Sequence, residues 1–288
     1  MDIKLDCLPC TLRQALEASR LSTDSTAHHA KIMDETVDVL RRYKTFKNPP
    51  EIAREIHRIV KKITGNQDPY GKIKQKDLST ALGLYPKLKE FIGNKEDQLY
   101  WALRASAVGN TLDSAIYMDY DLEKNMYEEL LKPFVIYDII SFEEKLATAK
   151  KLLVIGDNTG ETVFDRLLLR QFPSLDITYA VRSAPIINDA TVEDAKASGL
   201  GRYAAIKSTG CNAPGVLLNE CNKEFLDIYY NSDIVISKGQ GNYETLWDSN
   251  CGRGIYFLLK VKCTVLSQIM GIDLGQYVFK YREEKVLP

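Results

Sequence analysis

The stretch Lys151-Leu152-Leu153-Val154-Ile155, followed at once by Gly156-Asp157-Asn158-Thr159-Gly160-Glu161, decides the fold. Five residues that are mostly apolar are long enough for a strand and too few for a helix. The small polar turn that follows then opens a stretch of helical character over residues 162–171. Strand-length apolar runs recur downstream at 177–182, 203–207, 234–237 and 256–263, separated by helical stretches at 192–197 and 215–222. Continuous apolar strands alternating with helices predict a mostly parallel sheet covered on both faces.

Upstream the period changes. Leu12, Leu16, Ile32, Val37, Val39 and Leu40 recur at helical spacing, with residues 22–25 as a turn. Asn48-Pro49-Pro50-Glu51 stops one helix and starts the next, which runs to Thr64 and ends at Gly65-Asn66. Further helices are expected at 72–80, 85–92, 95–108 and 122–131. The chain therefore divides near residue 145, with a mainly helical domain over 1–145 covering the site and an α/β catalytic domain over 146–288.

With 27% charged residues and a formal net charge of -1, the chain offers no basic field for nucleic acid. A small-molecule substrate fits better. No apolar run reaches the roughly 18 residues of a membrane span, and the start of the sequence lacks a signal-peptide stretch, so a cytoplasmic location is expected. Six cysteines are too few for a disulfide scaffold in a chain of 288 residues.

Ligands of parallel sheets collect at the carboxyl ends of the strands. There the first loop places Asp157 and Asn158, hard oxygen donors suited to Mg²⁺ or Mn²⁺. The alternative is a plain turn with Thr159 as a cap. The second loop carries Asn188-Asp189-Ala190-Thr191, where Asp189 could add a second carboxylate or cap the next helix. Ser208, at the start of the third loop, opens a small-residue turn able to approach an anion. In the fourth loop Lys238 could neutralise a phosphoryl oxygen, with Gly239, Gly241 and Asn242 beside it. In the helical half, Asn110 and Asp113 lie three apart and could reach the same edge or simply face water.

Taken together, Asp6-Cys7-x-x-Cys10, Gly109-Asn110-x-x-Asp113, Gly156-Asp157-Asn158-x-Gly160-Glu161, Asn188-Asp189-Ala190-Thr191, residues 237–244 and Lys262-Cys263 resemble the DUF89 family. These proteins are also called damage-control phosphatases and are related to the ARMT1-like proteins. The early Cys-x-x-Cys is similar to the archaeal and bacterial subfamily. The resemblance implies a helical domain beside a Rossmann-like three-layer α/β/α domain, and one divalent metal, Mn²⁺, Co²⁺, Ni²⁺ or Mg²⁺, held by Asp157, Asn158 and Asp189. It further implies that Lys238 and its glycine loop contact phosphate, and that the reaction hydrolyses phosphate from small phosphometabolites such as sugar phosphates or damaged cofactor-related compounds. Asp157, Asp189 and Lys238 are then the catalytic candidates, and Asn110, Asp113, Ser208, Gly239, Gly241 and Asn242 the substrate-side ones.

Cys7 and Cys10 could belong to a second metal site, although a zinc centre needs two further ligands. Two other functions compete: a methyltransferase acting on carboxyl groups with a nucleoside cofactor, and a phosphometabolite-binding protein without turnover. The absence of Gly-x-Gly-x-x-Gly after the first strand counts against the former. Oligomeric state is not legible.

Overall fold

The computed structural model describes residues 1–109, 122–249 and 254–283. Its centre is a seven-stranded sheet in the order β1-β7-β6-β5-β2-β3-β4. The strands are β1 (Phe134–Tyr137), β2 (Lys151–Ile155), β3 (Asp176–Val181), β4 (Ala205–Ser208), β5 (Ile234–Lys238), β6 (Ile255–Lys260) and β7 (Tyr277–Arg282). Neighbours run parallel except β6 and β7. The fold is thus mixed α/β with a mostly parallel sheet, as the apolar runs predict. β2 lies between β3 and β5, and β2 to β5 alternate with helices, so the chain leaves β2 at a point where the strand order reverses. In such sheets a crevice opens there.

Five helices build most of the first half: α1 (Cys7–Ser22), α2 (Thr26–Arg41), α3 (Pro49–Thr64), α4 (Gly71–Gly93) and α5 (Gln98–Val108). Ser25 and Asn48 cap α2 and α3 through their side chains, and Gly65 ends α3 in the left-handed region at φ 75°. The first three helices enclose a small core of Ala15, Val39, Leu40, Ile52, Ile56 and Ile59. By contrast α4 and α5 join one core with α8 (Glu161–Leu169) and a face of the sheet. The opposite face is covered by α10 (Lys223–Asn231), α11 (Gln240–Leu246) and α12 (Thr264–Met270). Two further helices, α7 (Ile139–Leu146) and α9 (Val192–Ala197), follow β1 and β3.

Several elements differ from the periodicity reading. The helices expected at 72–80 and 85–92 are one helix, α4, with Pro86 inside it. Proline removes one backbone hydrogen bond there, while buried Tyr85, Leu88 and Ile92 hold the helix on both sides of it. Sheet begins before residue 145, because β1 precedes that point and pairs with β7. Residues 215–222 form a loop with a single 3₁₀ turn, and the helix starts afterwards at Lys223, capped by Asn222. Between α5 and the sheet edge, α6 (Leu122–Leu131) ends against the buried Arg104, whose Nη2 donates to the Glu129 carbonyl at 2.6 Å. The same guanidinium lies 4.1 Å from the centre of the Tyr277 ring. No helix among the described residues is long and apolar enough to cross a membrane.

His57 on α3 is buried against the Tyr70 ring, and neither ring nitrogen has a hydrogen-bond partner among the described residues. Burial first, and the charge of Lys61 second, push its pKa down to about 3. The folded protein therefore keeps a neutral imidazole where the unfolded chain, near 6.5, takes a proton. Its share of stability is fully present above about pH 6.5 and is lost as the pH falls through 3, amounting to roughly 2 kcal/mol at pH 5. A His57→Leu protein, unfolded in urea at pH 5 and at pH 7.5, is expected to lose about 2 kcal/mol less than the parent between the two. Equal losses would contradict a buried neutral imidazole.

Candidate active site

The loops after β2 and β3 are sewn together by their backbones. Asp157 O accepts from Ala190 N at 2.8 Å, Asn188 O accepts from Thr159 N at 2.9 Å, and Asn158 and Asp189 form an isolated antiparallel bridge. Asp157 and Asp189 consequently meet around one guanidinium. Arg182 Nε donates to Asp189 Oδ2 at 2.7 Å, and Arg182 Nη2 lies 3.9 Å from Asp157 Oδ1.

The structural alternative for Asp189 is taken by another residue. The helix after Asp189 is capped by Thr191, which forms a reciprocal capping box with Asp194. The N-cap position of α8 is Gly160, which has no side chain to cap it.

The loop carrying Asp189 is held from the helical side. Lys61 donates to the Pro185 carbonyl, and Lys74 Nζ bridges Asp194 Oδ2 at 2.9 Å and Asp68 Oδ2 at 3.0 Å. Ile187 adopts φ 46°, an uncommon conformation for a β-branched residue, and packs against the group formed by Ala18, Ile32, Val60 and Tyr70. These contacts offset the strain, because the loop can relax only by giving up a buried apolar contact and ion pairs.

Asp157, Asn158 and Asp189 line a cleft of about 780 Å³. Its other walls include Asp6 just before α1, Cys7, Cys10 and Arg13 on α1, the start of α3 (Pro49, Pro50), Gly241 and Glu244 on α11, and Lys260 with residues 262–265. Burial, opposed by Arg182 and reinforced by Asp157, raises Asp189 to about 7. Glu244, on the cleft wall, is also raised to about 7, by burial first, with Gln240 lowering it and Asp157 raising it. Two carboxylates and an amide oxygen at one edge, with the proton affinity of Asp189 raised by burial and then by the neighbouring Asp157, are donors that fit a hard divalent cation. Among the described residues no three His, Cys, Asp or Glu side chains are grouped to hold a metal, so the Asn158 amide is needed for this set. Cys7 and Cys10 line the same cleft but belong to no such group.

The remaining sequence candidates have other placements. Lys238, expected at phosphate, is fully buried and does not line the cleft. Its ammonium donates to Glu161 Oε2 at 2.7 Å, to Asp165 and to the Ser106 carbonyl at 3.0 Å. Two buried carboxylates hold this charge away from the cleft, where it serves as their countercharge. Asn242, also fully buried, accepts from Val216 N at 3.0 Å and donates to Gly156 O at 3.1 Å and Lys238 O at 2.7 Å. It staples three loops, and both N–H groups of its side-chain amide are engaged. Ser208 ends the outer strand β4, accepts from Gly210 N at 3.1 Å and is absent from the cleft lining, because β4 lies two strands from β2. Asn110 and Asp113 lie outside the described residues.

Gly241 lines the cleft, and a Cβ added to it would fall 1.7 Å from the Pro214 carbonyl oxygen. Gly239, at φ 80°, passes directly beneath Asp157, where an added Cβ would stand 1.9 Å from Oδ2. Both glycines act through close packing.

Sequence reasoning missed Arg182 and Glu244. The first was visible only as a charge closing an apolar run, and the second as the last residue of a quoted motif.

The comparisons agree with this architecture. The sequence model of the damage-control phosphatase ARMT1-like domain matches residues 3–278, and the chain belongs to that family. An uncharacterized protein of Methanocaldococcus jannaschii is 33% identical over 97% of this chain and 95% of its own length. A damage-control phosphatase of Pyrococcus horikoshii is 31% identical over 96% of this chain and 97% of its own. The crystal structure of a DUF89 family protein from Pyrococcus horikoshii covers 99% of this chain and 100% of its own with a TM-score of 0.88 at 30% identity.

Proposed function

We propose that this chain is a phosphatase of small, including damaged, phosphometabolites, and that it works with one divalent cation held by Asp157, Asn158 and Asp189. The observation that carries the reading is the convergence of those three side chains on the floor of one cleft, in a chain whose relatives include proteins named damage-control phosphatases.

When bound, such a cation polarises a phosphoryl oxygen and lowers the pKa of a water beside it. The chain's own residues do the rest. Arg182 fixes the Asp189 carboxylate through Nε, so that its second oxygen keeps one orientation. Asp157 rests on Gly239 and on the backbone bond from Ala190, which pre-organises it without side-chain entropy to lose. Among the described residues the cleft is lined by the cations Arg13 on α1, Lys260 at the end of β6 and Lys262 after it; Lys260 Nζ donates to Glu129 Oε2 at 2.8 Å, and Arg13 is assigned to the anionic end of the substrate. Size limits follow from the 780 Å³ cleft, which suits a sugar phosphate or a nucleotide fragment better than a protein.

Treatment with a chelator followed by desalting is expected to abolish phosphate release from a panel of sugar phosphates, and Mn²⁺, Co²⁺, Ni²⁺ or Mg²⁺ should restore it. Release that persists after chelation, with no metal detected by elemental analysis, would overturn the metal assignment while leaving a phosphatase. Because Asp189 holds a proton up to about pH 7, metal affinity measured by titration should rise with pH up to that point and then level.

A further inference from the structure

Cys211 and Cys221 lie at the two ends of the loop that follows β4. The chain segments that carry them run side by side: Asn222 N donates to the Thr209 carbonyl at 3.0 Å, and Asn222 Nδ2 donates to the Ser208 carbonyl at 2.9 Å. Gly210, at φ 79°, permits this approach, since a Cβ there would stand 2.6 Å from Asn222 N. Cys211 is buried with Ala213 and Leu217, and the half-buried Cys221 packs on that group. The Cys211 sulfur lies 3.8 Å from the Gly215 carbonyl oxygen, and the Cys221 sulfur 3.3 Å from the Leu217 carbonyl oxygen.

We propose that Cys211 and Cys221 are a thiol-oxidation site, an adjacent pair that a peroxide converts into an intramolecular disulfide. The hydrogen bond from Cys221, with smaller help from the Leu217 backbone and the Arg182 charge against burial, brings Cys211 down to about 7, and proton loss at Cys221 is correspondingly hindered. Burial instead raises Cys7 and Cys263.

The chemistry balances in two steps. The Cys211 thiolate attacks one oxygen of hydrogen peroxide, the O–O bond breaks, and the departing hydroxide takes a proton to become water, leaving Cys211 as a sulfenic acid. The Cys221 sulfur then attacks the Cys211 sulfur, the S–O bond breaks, and the Cys221 proton leaves with the hydroxyl as a second water. Both sulfurs are oxidised by one electron each and the peroxide takes up both. The bridge closes a loop joined to the site: the Cys211 carbonyl accepts from Ser183 N at 3.1 Å, next to Arg182, and Pro214 lines the cleft.

The test uses the full chain, reduced, exposed to hydrogen peroxide, alkylated and mapped by peptide mass. The expected result is loss of a pair of alkylatable thiols, a bridged peptide joining 211 and 221, and full return of both thiols with dithiothreitol. A protein carrying Cys7→Ser and Cys10→Ser should behave identically, whereas Cys221→Ser should stop at a sulfenic acid on Cys211 that dimedone traps. The proposal is overturned if all six thiols stay alkylatable, or if the bridge maps to Cys7 and Cys10.

Discussion

An Asp157→Asn protein is expected to keep its fold and to lose metal-dependent phosphate release by roughly 100-fold or more, the cost of removing one preorganised charge from a reacting centre. Amide and carboxylate are nearly the same shape, so the backbone bonds that pin this loop, from Ala190 N and to Asn188 O, remain. The Gly239 floor tolerates the substitution for the same reason. What changes is the charge available to a cation and the repulsion felt by Asp189. Removing that repulsion should lower the Asp189 pKa from its raised position near 7, since Asp157 is one of the groups holding it up. Turnover with Mn²⁺ and Mg²⁺, thermal melting and metal titration together make the check. An unimpaired variant would remove Asp157 from the reaction.

Replacing Lys238 by methionine is expected to act on stability. The substitution leaves Glu161 and Asp165 buried without their shared cation, and breaking a buried pair of this kind costs about 3–5 kcal/mol. Glu161 already carries a proton affinity raised to about 8, by burial against the countering Lys238 charge, so it would protonate further and absorb part of the loss. Tyr179 donates to Asp165 at 2.5 Å and Ser106 donates to it at 2.6 Å, which leaves that carboxylate partly satisfied. The urea midpoint of the variant should fall sharply. A direct phosphate contact would give the opposite pattern, an unchanged midpoint with a raised KM, and that outcome would return Lys238 to the cleft.

Much of the architecture was legible because burial on both faces writes itself as uninterrupted apolar runs. β2 and β5 are the clearest cases, all but one of their residues being fully buried. β1 and β7 were missed. β1 is four residues at the sheet edge, half-buried and too short to show a period, and β7 alternates only weakly because Lys280 and Tyr281 stay partly exposed. Helix starts read well where a cap residue marks them, as at Ser25 and Asn48, and poorly at Lys223, whose cap Asn222 closes a loop of small residues that looked helical.

The meeting of Asp157, Asn158 and Asp189 at one cleft was legible because strand-end position is a sequence property. The burial of Lys238 was not legible, for a definite reason. Its neighbours Gly239 and Gly241 suggested an anion loop, but the partners that claim the ammonium, Glu161 and Asp165, sit on α8, more than seventy residues earlier in the chain. No local pattern reports such a pairing. Arg182 was overlooked similarly, since a positive charge after an apolar run reads as a strand ending and gains meaning only beside two carboxylates.

The close approach of Gly241 to Pro214 and of Gly239 to Asp157 divides the molecule by how freely it can diverge. On the sheet side there is no room for even one added carbon, so neither loop can acquire a new side chain unless its neighbour is rebuilt at the same time. The helix opposite is under no such restriction: Cys10 and Arg13 present exposed side chains to the cleft from α1. Selection for a different metabolite would therefore act on the roof, leaving the floor unchanged.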